Sequence, residues 1–153
     1  REIEFAGVYR IATNGVVQLM VDGLVGPNGL VLSPNESLMF IADSKQRKIF
    51  RYTVFADGAL SSQGELYADL SEDTATGVTD GMKVDTDGRL WTTGPGGVWV
   101  IDSDGSILGR FVIDEQPANL AWGGEDFSTL YITARTSVYS VETNVRGVAP
   151  GSS

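Results

Sequence analysis

Apolar residues along this chain fall in short runs cut by Gly-containing turns, the pattern of β-strands rather than of helices. Asn14-Gly15, Asp57-Gly58, Asp87-Gly88 and Asp104-Gly105 each lie between apolar runs. A side chain tolerant of positive φ followed by Gly predicts a tight hairpin turn at all four. No segment longer than ten residues carries a clean helical stripe, and 61–73 has the weakest pattern of any stretch.

The strands repeat. A β-branched residue followed by an aromatic opens Val8-Tyr9-Arg10-Ile11, Ile49-Phe50-Arg51-Tyr52, Val98-Trp99-Val100-Ile101 and Val138-Tyr139-Ser140-Val141. Three of these are preceded by a second apolar element, Met39-Phe40-Ile41-Ala42, Leu90-Trp91-Thr92-Thr93 and Leu130-Tyr131-Ile132-Thr133. Before that comes a third: Asn28-Gly29-Leu30-Val31-Leu32, Asp80-Gly81-Met82-Lys83-Val84 and Ala118-Asn119-Leu120-Ala121-Trp122. The first element recurs at steps of 41, 49 and 40 residues (8 to 49, 49 to 98, 98 to 138). A period of about 40 to 50 residues with four strands per unit is that of a β-propeller blade. Outer strands are expected at 16–21, 65–70 and 107–112. The units run 1–23 (outer strands of a first blade), 24–73, 78–113 and 117–146 (last blade), with 147–153 as a tail. The fold class is therefore all-β, a propeller of about three to three and a half blades, with two open flanks that something must cover.

Composition narrows the chemistry. The 153 residues contain no His and no Cys, which removes a Ser-His-Asp triad, a thiolate nucleophile and a zinc site built on imidazole or sulfur. Any metal must be held by oxygen. A formal net charge of -9, with Lys45, Arg47 and Lys48 as the one tight cationic group, argues against a nucleic-acid partner. No apolar run approaches the roughly 20 residues of a spanning helix, so a soluble chain without a membrane partner is expected. The sequence opens on Arg1 rather than Met, and a signal peptide is neither seen nor excluded by it.

In a propeller the first strand of each blade lines the central channel, which brings Asn28, Asp80 and Ala118 to one mouth. An amide oxygen and a carboxylate in neighbouring repeats suit a hard divalent cation, with Ca²⁺ the natural choice. The competing reading places both in turns, where Asn-Gly and Asp-Gly occur for backbone reasons alone. Asn119 stands where the other repeats have Gly29 and Gly81; its tolerance of left-handed backbone favours a structural role over ligation at this channel position. Asp85, Asp87, Asp102, Asp104, Glu72 and Asp73 read as solvated turn residues, and Phe50, Trp91, Trp99, Tyr131 and Tyr139 as core packing blade against blade. Gly94-Pro95-Gly96-Gly97 joins two strands and opens no helix, so it is no phosphate cradle.

Taken in order, Pro27-Asn28-Gly29-Leu30, Ser33-Pro34-Asn35-Glu36, Ile41-Ala42-Asp43-Ser44, Asp80-Gly81-Met82-Lys83-Val84-Asp85, Gly94-Pro95-Gly96-Gly97-Val98-Trp99 and Pro117-Ala118-Asn119-Leu120-Ala121-Trp122-Gly123 with Leu130-Tyr131-Ile132-Thr133-Ala134 resemble the gluconolactonase, senescence marker protein and luciferin-regenerating enzyme family. The resemblance implies a six-bladed propeller that hydrolyses lactones with a divalent metal in its channel. It implies Asn28 as a metal ligand and Asp80 as metal ligand and catalytic acid-base group; Ca²⁺ is the expected ion, with Zn²⁺, Mn²⁺ and Mg²⁺ as other candidates. The family's third ligand, a Glu near its N-terminus, belongs to the half of the propeller that this chain does not resemble.

Two readings follow. One is a lactone hydrolase, or the C-terminal half of one, acting on a small-molecule lactone. The other is a non-catalytic half-propeller serving as a folded interaction module. Either way a homodimer or a complementary half-propeller is the expected partner, since two copies would supply about six blades.

Overall fold

The computed structural model describes residues 4–149 and 151. It is all-β among those residues: thirteen strands, in four antiparallel sheets, follow one another in chain order. The first sheet pairs β1 (Val8–Ile11) with β2 (Val17–Val21). The second is a meander of β3 (Pro27–Leu32), β4 (Leu38–Asp43), β5 (Lys48–Thr53) and β6 (Glu65–Asp69). The third repeats it with β7 (Met82–Val84), β8 (Leu90–Gly94), β9 (Gly97–Ile101) and β10 (Ile107–Val112), and the fourth holds β11 (Pro117–Gly123), β12 (Thr129–Ala134) and β13 (Val138–Glu142). Repeated four-stranded meanders flanked by a two- and a three-stranded sheet are the arrangement of part of a β-propeller. No helix among the described residues is long and apolar enough to cross a membrane.

The second and third sheets bury side chains on both faces, one toward each neighbour, and the first and fourth on one face, which is why the inner strands read as near-continuous apolar runs. Three clusters form the seams. Val8, Val21 and Leu24 meet Ile41 and Tyr52 between the first and second sheets. Phe40, Ala42, Ile49 and Tyr67 meet Met82, Val84, Leu90 and Ile101 between the second and third. Trp91, Val98 and Val100 meet Leu120, Trp122, Leu130 and Ile132 between the third and fourth. Ile41, Ile49, Leu90 and Ile101 are fully buried, each adding about 1.5–3 kcal/mol of hydrophobic stabilisation. After β13 the chain turns back beneath β7: Asp85 bridges Gly147, Thr86 N donates to the Arg146 carbonyl at 2.8 Å, and Gly147 packs against Trp122.

The hairpins form by a different device from the one the Asx-Gly pairs suggest. At all four only the Gly takes positive φ (Gly15 82°, Gly58 77°, Gly88 86°, Gly105 93°), so Asn14, Asp57, Asp87 and Asp104 do not use the left-handed region. The Gly amide instead donates three residues back, as from Gly15 to the Ala12 carbonyl at 2.8 Å, the signature of a type I turn closed by a Gly bulge. The preceding side chain caps the turn: Asn14, Asp57 and Asp104 each accept the amide two residues on, at 3.1, 2.9 and 2.8 Å.

Three further expectations are corrected. Asp85 is fully buried rather than solvated, because Trp91 Nε1, Arg89 Nη1 and the amides of Asp87 and Arg89 close over its carboxylate. Tyr131 is exposed, on the outward face of the last sheet where no further sheet follows. Asn119 has no positive φ, so backbone conformation does not account for an Asn there.

Candidate channel site

The backbone is irregular at the positions expected to line the channel. The β3–β4 register shifts between Pro27 and Leu30, and the β11–β12 register shifts between Pro117 and Asn119. Such bulges re-aim side chains, here at Asn28 and Ala118. The third repeat reaches the same place without a strand, since β7 begins only at Met82 and leaves Asp80-Gly81 ahead of it.

Two glycines draw these positions together. A Cβ on Gly29 would lie 1.9 Å from the Asp80 carbonyl oxygen, and one on Gly81 would lie 2.2 Å from Asn119 Oδ1. Both approaches are closer than any side chain allows, so Gly at 29 and 81 is required by contact between neighbouring repeats. The Gly81 amide donates to the Ala118 carbonyl at 3.0 Å and completes the join. The segments Asn28-Gly29, Asp80-Gly81 and Ala118-Asn119 thereby lie side by side and form one rim.

Their side chains differ in how far they are committed. Asn28 Nδ2 donates to Ser44 Oγ at 3.0 Å, and the Ser44 hydroxyl donates to the Thr79 carbonyl. The amide orientation that uses Nδ2 in this way leaves Asn28 Oδ1 free to accept or to ligate. Asn119 Oδ1 accepts its neighbour's amide, from Leu120 N at 2.8 Å, which makes it the poorer ligand. The Asp80 carboxylate has no hydrogen-bond or ion-pair partner among the described residues, and burial pushes its pKa up. A carboxylate that is partly desolvated and unpaired is poised to bind a cation or to accept a proton.

As a donor set, one amide oxygen and one carboxylate oxygen fit part of the shell of a hard divalent cation, whose usual complement is six to eight oxygens for Ca²⁺. No group of three or more Asp or Glu able to hold a metal exists among the described residues. The sequence reading missed the residues that carry the rim. Ser44 and Thr79 lie behind Asn28 and Asp80, and Thr79 Oγ1 donates to the Asp43 carbonyl at 3.1 Å. Neither Ser44 nor Thr79 stands in a residue pattern with a chemical signal of its own; only the fold places them there.

The comparisons with known proteins agree with this architecture. Residues 1–136 match the profile of the SMP-30/Gluconolactonase/LRE-like region. A gluconolactonase of Zymomonas mobilis is 31% identical over 153 residues, which cover 96% of this chain and 43% of that protein. The structure of a gluconolactonase from Xanthomonas campestris superposes with a TM-score of 0.78 at 28% identity, over 96% of this chain and 46% of that one. A regucalcin from Agrobacterium tumefaciens, described as a calcium-binding protein, superposes with a TM-score of 0.81 at 22% identity, over 93% of this chain and 54% of that one. The chain thus spans about half the length of the relatives it matches. It belongs to the SMP-30/gluconolactonase/LRE-like family.

Proposed function

We propose that this chain forms the Asn28–Asp80 side of the channel of a divalent-metal-dependent lactonase acting on a sugar lactone. The observation that carries the reading is Asp80, an unpaired, partly desolvated carboxylate held on the same rim as the open Asn28 carboxamide oxygen. Family membership supplies the reaction class, and gluconolactonase relatives supply the substrate class.

Asn28 Oδ1 and the Asp80 carboxylate would hold the cation, with Ca²⁺ first among Ca²⁺, Zn²⁺, Mn²⁺ and Mg²⁺ because both donors are hard oxygens. Once bound, such an ion polarises the lactone carbonyl as a Lewis acid. Asp80 takes a proton from the water that attacks the carbonyl carbon. The ring C–O bond then breaks, and the proton passes to the departing ring oxygen, leaving the open hydroxy acid. Ser44 keeps the Asn28 carboxamide facing the channel throughout.

A second copy of the chain is the partner that completes the site. Tyr9 and Leu19, and Ile11 and Val17, form two cross-strand pairs on the outward face of the first sheet, and all four are exposed. They continue the apolar seam pattern of the three clusters, on a face that no sheet of this chain covers. Two copies facing one axis would bring two sets of Asn28 and Asp80 to a common channel. Light scattering at micromolar concentration is expected to give the dimer mass; a monodisperse monomer argues against this partner.

The test of the site is calorimetric titration of Ca²⁺ and Mn²⁺ into the wild-type protein and Asp80→Asn, followed by hydrolysis of gluconolactone at fixed pH. Binding and turnover that both disappear in the variant support the reading. Equal behaviour of the two proteins overturns it.

A further inference from the structure

We propose that Arg110 is a positioning residue for Asp80, locking the strap 71–79 from which Asp80 enters the channel rim. The inference rests on the role of Asp80 given above, but its geometry stands independently. Strand β10 is the outer edge of its sheet, and its residues are exposed along the whole length. Arg110 nevertheless engages two neighbouring segments. Its Nη1 donates to Asp73 Oδ2 at 2.8 Å and to the Pro95 carbonyl at 3.0 Å, and its guanidinium lies 5.0 Å from the centre of the Trp99 ring. Trp99 Nε1 donates to the same Pro95 carbonyl at 2.9 Å. One planar group thus ties the strap to the β8–β9 turn, a combination that a Lys ammonium cannot reproduce.

The strap is held at successive points from there to Asp80. Arg47 Nη1 donates to the Asp73 carbonyl at 2.9 Å, and Asp73 Oδ1 accepts the Ala75 amide at 2.9 Å. The Gly96 amide donates to the Thr76 carbonyl at 2.8 Å. Gly77, with φ of 124°, lies so close to the Gly94 carbonyl that a Cβ would stand 2.8 Å from it. Thr79 is fixed through both its carbonyl, to Ser44, and its hydroxyl, to Asp43. Asp80 follows with no side-chain partner among the described residues, so the backbone of the strap is what anchors its carboxylate. The competing view is an ordinary partly exposed ion pair, which adds little to stability; that view leaves the added Pro95 and Trp99 contacts of the same guanidinium without a reason.

The experiment compares Arg110→Ala and Arg110→Lys with Arg51→Ala. Arg51 is the control: on the inner strand β5 of the second sheet, it pairs with Glu65 at 2.9 Å and lies over the Tyr67 ring, and it makes no bond to the strap. Amide exchange of residues 74–81 is followed without metal, and Ca²⁺ affinity by calorimetry. In Arg110→Ala the strap amides are expected to exchange about tenfold faster while Ca²⁺ affinity falls about tenfold or more. Arg110→Lys should recover part of both, and Arg51→Ala should change neither. Unaltered strap exchange in Arg110→Ala overturns the proposal, as does uniform acceleration across all sheets. So does faster strap exchange with Ca²⁺ affinity unchanged. If the strap responds as expected but the wild-type protein takes up no Ca²⁺, the positioning of Asp80 stands and the cation reading of the site falls.

Discussion

Asp43 and Asp80 lie a few bonds apart across the Thr79 hydroxyl, and they are opposite solutions to placing a carboxylate inside a sheet protein. Asp43 is fully buried and saturated: it accepts the amides of Val25, Gly26, Lys45 and Gln46 and the Gln46 carboxamide, at 2.7 to 3.2 Å. Burial works against its charge, but the Gln46 side chain and the amides of Val25, Gln46 and Gly26 outweigh it, and its pKa stays below the ordinary value. Asp80 is partly buried and has no such partners among the described residues, and burial moves its pKa the other way. The difference separates a carboxylate that organises the fold from one left available for chemistry. Asp43 pins the chain entering β3 to the β4–β5 turn; Asp80 pins nothing.

The comparison breaks first at Asp43. Asp43→Ala would leave four part-buried backbone amides without the fully buried carboxylate that accepts them, at a cost of about 3 kcal/mol. Chemical denaturation should show this as a large fall in midpoint at neutral pH. If Asp43→Ala proves as stable as the wild type, saturation of the carboxylate is not what holds the second sheet, and the contrast with Asp80 loses its meaning.

Acid is the next lever. Glu115 resembles Asp43 in kind: the Ser137 hydroxyl, the Thr136 amide and hydroxyl and the Tyr139 hydroxyl hold its pKa at about 2. Groups whose folded pKa is depressed add stability that is complete above their unfolded values, near 4, and is lost as pH falls through the folded values. The denaturation midpoint of the wild type should therefore decline from about pH 4.5 toward pH 2. Glu115→Gln should flatten the lower part of that decline.

Asp80→Asn should do the reverse. A raised folded pKa gives stability at low pH that is lost as pH rises through the folded value. Removing the carboxylate should then leave the protein as stable as the wild type in acid and slightly more stable at pH 7, even as cation binding disappears. A variant less stable at pH 7 would mean that Asp80 has a structural partner and is not the open group of the pair.

Much of this architecture is legible in the sequence because strand pattern and turn residues are local. The repeated elements fall on strands: Val8-Tyr9-Arg10-Ile11 spans β1, and the outer strands expected at 65–70 and 107–112 coincide with β6 and β10 to within a residue. The roles of single carboxylates are not local. Asp43 is saturated by Val25 and Gly26, 18 and 17 residues earlier, and Asp85 is buried by Trp91, six residues on and across a hairpin. The Asx-Gly pairs locate the hairpins but not their turn geometry, because a Gly in the left-handed region serves two turn types alike. For Asn119, the residue type suggested a left-handed backbone; the strand it occupies shows that side-chain placement against Gly81, not φ, is what distinguishes this position.

The smallest effect tests the finest part of the contrast, the orientation of Asn28. Asn28 Nδ2 is held by a Ser44 hydroxyl that is itself committed to the Thr79 carbonyl, so Ser44 transmits the position of the strap to the neighbouring rim residue. Ser44→Ala removes that link while leaving both Asn28 and Asp80 in place. The rim is open enough for water to replace the lost bond, so stability should change by no more than about 0.5 kcal/mol. Ca²⁺ affinity should fall by about threefold, the cost of letting the carboxamide sample orientations in which Nδ2 rather than Oδ1 faces the ion. Ser44→Thr keeps the hydroxyl and should retain more of the affinity than Ser44→Ala. Equal losses in the two variants would mean that packing at position 44, not the hydroxyl, sets the Asn28 side chain.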